Sequence, residues 1–193
     1  HTFGVASCKN CSGPEDEASG FHSAEAARGL YPNANAGIWP GTGSTTSYKG
    51  TTGSSANDNL GANSNGSVWQ IAFDADAGKI WFGKNDTWQN TISGTSVSKS
   101  DIEAGNNARY EDLNNDAEGP WMPVFGTYNA NEGHHLDVNF GGFTAATISS
   151  GNTDQNGFGN FEYAPPAGFL AVCSQNLKSV TSIDDPSAHF QAE

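Results

Sequence analysis

Two short apolar runs, Val68 to Phe73 and Lys79 to Phe82, flank the five residues Asp74-Ala75-Asp76-Ala77-Gly78. Side chains alternate between faces along a strand, and the first run alternates well enough to predict one; Lys79 to Phe82 is expected to form a second. The residues between them carry turn chemistry, because an aspartate bonds its neighbouring backbone and glycine accepts a positive φ. A β-hairpin is therefore expected here, followed by a tight turn from Lys84 to Thr87 into Trp88.

Elsewhere the signals are shorter. Thr2 to Ala6 reads as the end of a strand, and Trp121 to Tyr128 and Leu136 to Phe140 as two more. Phe161 to Tyr163 and Phe169 to Val172 are short apolar runs separated by Ala164-Pro165-Pro166-Ala167-Gly168. Within Ser19 to Leu30, the run Ala24 to Arg28 is the one helix-like stretch. Tyr31 to Asn65 is expected to form long loops around short strands, and Asn90 to Glu118 a long polar excursion. No helical period is sustained and no internal repeat occurs. Many short strands joined by Gly, Pro and Asn turns predict an all-β fold: an antiparallel β-sandwich with long polar loops and little helix.

Composition decides whether such a chain folds at all. Over 193 residues, 35% are hydrophobic and 15% charged. Low hydrophobicity can signal disorder, but that state usually combines it with high charge and few aromatics. Here 11% of residues are aromatic, five of them Trp, and burying such rings holds a modest core together. Trp69, Phe73, Trp81, Phe82, Phe140 and Phe169 are expected to form it. Eight basic against 21 acidic residues leave a net charge of −13, which repels a duplex or an anionic lipid surface. Nucleic-acid binding is excluded on that ground. No stretch approaches the roughly 20 apolar residues of a membrane span, so no membrane insertion is expected.

The segment Val68 to Gln89, VWQIAFDADAGKIWFGKNDTWQ, resembles the SPRY (B30.2-like) domain, in which an apolar strand, an Asp-x-Asp-x-Gly turn, an aromatic strand and an Asn-containing turn follow one another. Val138-Asn139-Phe140-Gly141, with Phe161 through Phe169 and Ala171-Val172-Cys173, is similar to that family's closing strands, especially in SPRY-like modules of large bacteriophage virion proteins. His1 to Ala6 resembles an early strand of the same domain. The likeness covers most of residues 1–177, and residues 178–193 read as a linker or the start of a following module. The chain departs from the pattern in three places: the strand that normally precedes HTFGVA is missing, Asp86 stands where the family usually has Gly, and residues 141–160 insert a polar loop. The missing strand and the linker suggest a piece of a longer polypeptide.

Several residue groups invite a chemical role. Cys8-Lys9-Asn10-Cys11 is a Cys-x-x-Cys, open to a local disulfide in an extracellular chain, to a metal site or to free thiols. A zinc site would need two further ligands, and only Cys173 and scattered histidines are available. Asp112, Asn114, Asp116 and Glu118 place oxygen ligands at alternating positions as a calcium loop does. Ala117 and Pro123 stand where an EF-hand needs Gly and Glu, and an ordinary solvated acidic loop is the alternative. His134 and His135 are adjacent and point to opposite faces in a strand, so they do not serve one site. His22 is isolated. No nucleophile elbow and no phosphate-binding loop before a helix occurs, and no catalytic residue and no cofactor are expected beyond the open question of calcium.

Trp39, Tyr48, Tyr110 and Tyr128 lie in or beside the long loops, where they either contact a partner or pin the loops to the sandwich. SPRY domains are non-enzymatic binding modules, so the resemblance implies a structural or binding part of a phage virion, such as a tail or capsid fibre. Its partners would be a host-surface protein or glycan, other virion proteins, or copies of itself. Its place would be the virion surface or the extracellular space. A lectin-like module of a bacterial extracellular protein is the alternative.

Overall fold

The computed structural model describes residues 2–7, 27–32, 45–49, 60, 64, 66–89, 96–114, 120–126, 136–142 and 146–176. In chain order the elements are β1 (Thr2–Ser7), β2 (Ala27–Pro32), β3 (Thr45–Lys49), β4 (Trp69–Asp74), β5 (Lys79–Lys84), β6 (Thr87–Trp88), α1 (Lys99–Glu103) and β7 (Trp121–Gly126). Strands dominate and all pairings are antiparallel, in a four-stranded sheet of order β3-β2-β1-β7 and a three-stranded sheet of order β4-β5-β6. The all-β expectation holds.

The expected hairpin is present at its expected place. Ile71 pairs with Phe82 and Phe73 with Ile80, while Ala72 faces Trp81 from the next position along. At the turn, the Ala77 N–H donates to Asp74 Oδ1 at 2.8 Å, and Gly78 takes φ +69°. The next turn has Asn85 at φ 49° and Asp86 at φ 62°, the two left-handed positions of a type I′ connection. Asp86 thus keeps the conformation that glycine usually supplies. Asn85 closes the turn from both sides: its N–H donates to the Val68 carbonyl, and its Oδ1 accepts from the Val68 N–H, each at 2.9 Å.

Strand alternation sends β5 into two cores. Ile80 and Phe82 join Phe3 and Val5 of β1, Leu60, Tyr110 and Leu113 in one cluster, with Trp69, Ile71, Phe73 and Trp121 packed against it. The Phe3 ring meets Trp69 at 5.3 Å and Phe82 at 6.3 Å, so the two sheets share this apolar layer. On the opposite face of β5, Trp81 packs with Ala72, Trp88, Val97 and Ile102 of α1, and Phe169 stands edge-on to it at 5.7 Å. Burying an aromatic ring at roughly 25 cal/mol per Å² makes this doubly covered strand the main anchor of the described structure.

Several expectations fail, each for an identifiable reason. Ala27 and Arg28, part of the helix-like run, lie in β2 and pair with Ala6 and Val5 of β1, so sheet pairing overrides their helical propensity. The excursion from Asn90 contains α1, opened by Ser98 as N-cap with Asp101 completing a capping box. Leu136 to Phe140, Phe161 to Tyr163 and Phe169 to Val172 form no strands, although Phe161 makes a single antiparallel bridge to Asn152. There, side chains take over bonds a ladder would make: Asn139 Nδ2 donates to the Asn160 carbonyl, and Asn152 Nδ2 to the Glu162 carbonyl, both at 2.8 Å. Phe140 is 41% exposed and is not core. Residues 127–128, where the strand from Trp121 was expected to continue, and the segment 178–193 lie outside the described residues.

Candidate functional site

Among the aromatic candidates, Tyr110 is placed most clearly, and it is not at the surface. Its main chain bridges Ile80, with the Ile80 N–H donating to the Tyr110 carbonyl at 3.1 Å and the Arg109 N–H to the Ile80 carbonyl at 2.8 Å. The ring is 8% exposed within the first core cluster, and the Arg109 guanidinium lies 5.2 Å from its centroid. A ring so enclosed walls the core and is not presented to a partner, which corrects the expectation for this residue. Tyr48 belongs to β3, opposite Gly29. Trp39, Tyr128, Cys8, Cys11, His22, His134 and His135 lie outside the described residues.

Of the calcium-like run, Asp112 is half-buried and Asn114 exposed, while Asp116 and Glu118 lie outside the described residues. Leu113 between them is buried, and its N–H donates to the Gly78 carbonyl at 3.0 Å. The start of the acidic loop is therefore tied to the hairpin turn. Among the described residues, no group of three or more His, Cys, Asp or Glu side chains is placed to hold a metal ion, and no helix is long and apolar enough to cross a membrane. Cys173 is a half-buried free thiol.

A cleft opens between the β5–β6 turn and the segment leading into α1. Asp86, Thr87, Trp88, Ser96, Lys99 and the apolar Val97 line it, with Ser98, over a volume of about 310 Å³. Across its rim the Lys99 ammonium sits 2.6 Å from Asp86 Oδ1. Ser98 is committed to the helix: its hydroxyl accepts from the Asp101 N–H at 3.2 Å. The hydroxyl bond from Ser98, followed by one from its backbone, holds the Asp101 carboxyl below the usual aspartate range. Trp88 is buried, and its indole Nε1 has no hydrogen-bond partner among the described residues. No sequence motif marks this cleft, although the Ser98-x-x-Asp101 capping box was legible and would have located one wall.

A second organised region is the irregular lobe 146–176. Asp154 is buried there and accepts from the N–H groups of Asn156, Phe158 and Ala171, and from Asn176 Nδ2 at 2.6 Å. Burial by itself pushes this carboxyl up, but the bonds from Ala171, Phe158, Asn176 and Asn156 together outweigh it and hold the group below its usual range. Glu162 is likewise lowered, first by the Ser149 hydroxyl and then by the Ser149 N–H. These carboxylates accept from backbone N–H groups of distant segments, so they organise the lobe.

The surface also carries exposed apolar side chains: Met122 and Phe125 on β7, and Phe140, whose ring stands edge-on to Phe125 at 6.0 Å. No family model matches the chain, and no curated protein or solved structure matches it either.

Proposed function

We propose that the chain is a SPRY-like β-sandwich acting as a non-enzymatic binding or structural module of a phage virion, in a tail or capsid fibre that meets a host-surface protein or glycan. The observation that carries the reading is the hairpin Trp69–Lys84, built from the residues of the SPRY resemblance and facing a second antiparallel sheet through Phe3, Trp69 and Phe82. The exposed ring pair Phe125–Phe140 supports a role in protein contact, because exposed aromatic clusters favour partner surfaces. Extracellular exposure on a particle suits an acidic chain of net charge −13.

Antibody raised to the whole folded chain tests the virion reading. Labelling of purified particles is the expected result; recovery of the antigen only in particle-free bacterial secretions would establish the alternative, a lectin-like module of an extracellular protein. The hydroxyl-lined cleft at Asp86–Lys99 favours that second reading. Release of reducing ends from a polysaccharide, abolished by one carboxylate substitution, would overturn both in favour of an enzyme.

A further inference from the structure

We propose that Asn156 is a modification site, at which the Gly157 nitrogen closes on the Asn156 side chain and expels ammonia, and that the folded lobe 146–176 holds this reaction back. The chemistry is independent of what the chain binds.

The residue pair supplies the reactivity. An asparagine is attacked at its side-chain carbonyl carbon by the main-chain nitrogen of the next residue, and a side chain on that residue obstructs the approach. Glycine has none. Asn-Gly occurs twice in the chain, at 65–66 and 156–157, and Asn65 lies outside the described residues. Asn156 and Gly157 are both exposed, and a Cβ built on Gly157 would meet nothing within 4 Å. Water, the co-reactant, therefore reaches the pair.

In the first step the Gly157 nitrogen gives up its proton and bonds to Asn156 Cγ. The Cγ–Nδ2 bond breaks, and ammonia leaves with that proton. Water then opens the five-membered imide at either carbonyl. One opening gives aspartate; the other gives isoaspartate, in which the main chain runs through the former side chain.

The turn holds both reacting groups. The Gly157 N–H, which must be lost, donates to the Asp154 carbonyl at 3.0 Å, and the departing Nδ2 donates to Asn176 Oδ1 at 2.9 Å. The Asn156 and Phe158 N–H groups are both fixed on Asp154 Oδ1, at 2.9 and 3.0 Å. Backbone on either side of the attacking nitrogen is thus kept from turning toward Cγ. Ring closure needs these bonds to open, so its rate follows the fraction of time the lobe spends open.

Conversion also loosens the lobe. A carboxylate at 156 only accepts, so it loses the bond to Asn176 Oδ1. It also sets a second negative charge against Asn176, the amide that already serves Asp154 at 2.6 Å.

The test is peptide mapping by mass spectrometry of the full chain held at neutral pH, folded and in guanidinium chloride, with Asp154→Ala and Asn176→Ala alongside. Position 156 should convert fastest in denaturant and at least about tenfold more slowly in the folded parent, because each turn bond must open first. Both variants should close much of that gap while the β4–β5 amides stay protected from exchange. Asn156→Asp, which installs the product, should speed exchange of the Ala171 amide. No conversion at 156 in denaturant would overturn the site. A folded parent as fast as the denatured chain would overturn the protection, as would two variants no faster than the parent. Unchanged Ala171 exchange in Asn156→Asp would overturn the loosening.

Discussion

Asp86 holds Lys99 at 2.6 Å while its own backbone sits at φ 62°, in a turn where glycine would be free of strain. An aspartate tolerates the left-handed region better than most residues, and its carboxylate links the β5–β6 turn to the first residue of α1. The left-handed backbone at Asp86 is thus accompanied by a contact that glycine could not make.

Replacing Asp86 separates those two effects. Asp86→Gly relieves the backbone and loses an exposed ion pair worth about 0.2–1 kcal/mol, so its stability should stay close to the parent. Asp86→Ala loses the pair and keeps the strain, and should be less stable than the glycine variant by about 1 kcal/mol. Urea denaturation of both variants measures the order, and equal stability of the two would remove the strain argument.

Ser98→Ala removes the N-cap of a helix only five residues long. The loss should be about 1 kcal/mol, and amide exchange over residues 99–103 should accelerate before the strands respond. Exchange rates unchanged across α1 would show that packing of Ile102 alone holds the helix.

Gly78 has φ +69°, and a Cβ built there would stand 2.7 Å from the Asn114 Cβ. Gly78→Ala should therefore cost more than about 1 kcal/mol, because the strained backbone and the displaced 111–114 segment add. The checks are the melting temperature and the exchange of the Leu113 amide, which bonds the Gly78 carbonyl at 3.0 Å.

Phe82 is fully buried between the sheets, against Phe3 and the first core cluster. Phe82→Ala should cost about 3–5 kcal/mol in chemical denaturation, whereas Phe82→Leu should cost much less. A small effect from the alanine variant would mean that the two sheets do not share this layer.

Asp154 gives the lobe 146–176 a dependence on acid. Its folded carboxyl is held below the ordinary value, so the unfolded chain binds its proton first as pH falls. The stabilisation is full above the usual aspartate range, about pH 4, and is lost as pH drops through the folded value. Glu162 adds a term of the same sign. Exchange of the Ala171 amide should rise in acid in the parent, and Asp154→Ala should raise it at neutral pH; a parent rate that follows only intrinsic exchange chemistry would contradict the assignment.

Local chemistry was enough to locate the hairpin, because its strand pairing and its Asp74 turn bond lie within Val68 to Trp88. Alternation placed Ile80 and Phe82 on one face and Trp81 on the other, as strand geometry requires. The net charge of −13 was equally readable, being a sum over residues wherever they sit. The same local reasoning left Tyr110 open between contacting a partner and pinning its loop; the bridge to the distant Ile80 buries it and decides for the pin. Gln89 is a similar case. No motif marks it, yet its Oε1 accepts from the Phe82 N–H and it is wholly buried, completing an edge of β5 that β6 leaves short.

The sequence by itself determined the β4–β5 hairpin, the tight turn that follows it and the net negative charge, since propensity, alternation and charge act within a few residues or add without regard to position. Only the tertiary structure decided that Asp86 meets Lys99, that Trp88 is buried with an unpartnered indole N–H, and that Asp154 gathers donors from 156 to 176. Those outcomes depend on which distant segments cover one another, and burial, which sets the cost of an unpaired donor and the value of a carboxylate's bonds, exists only once they do.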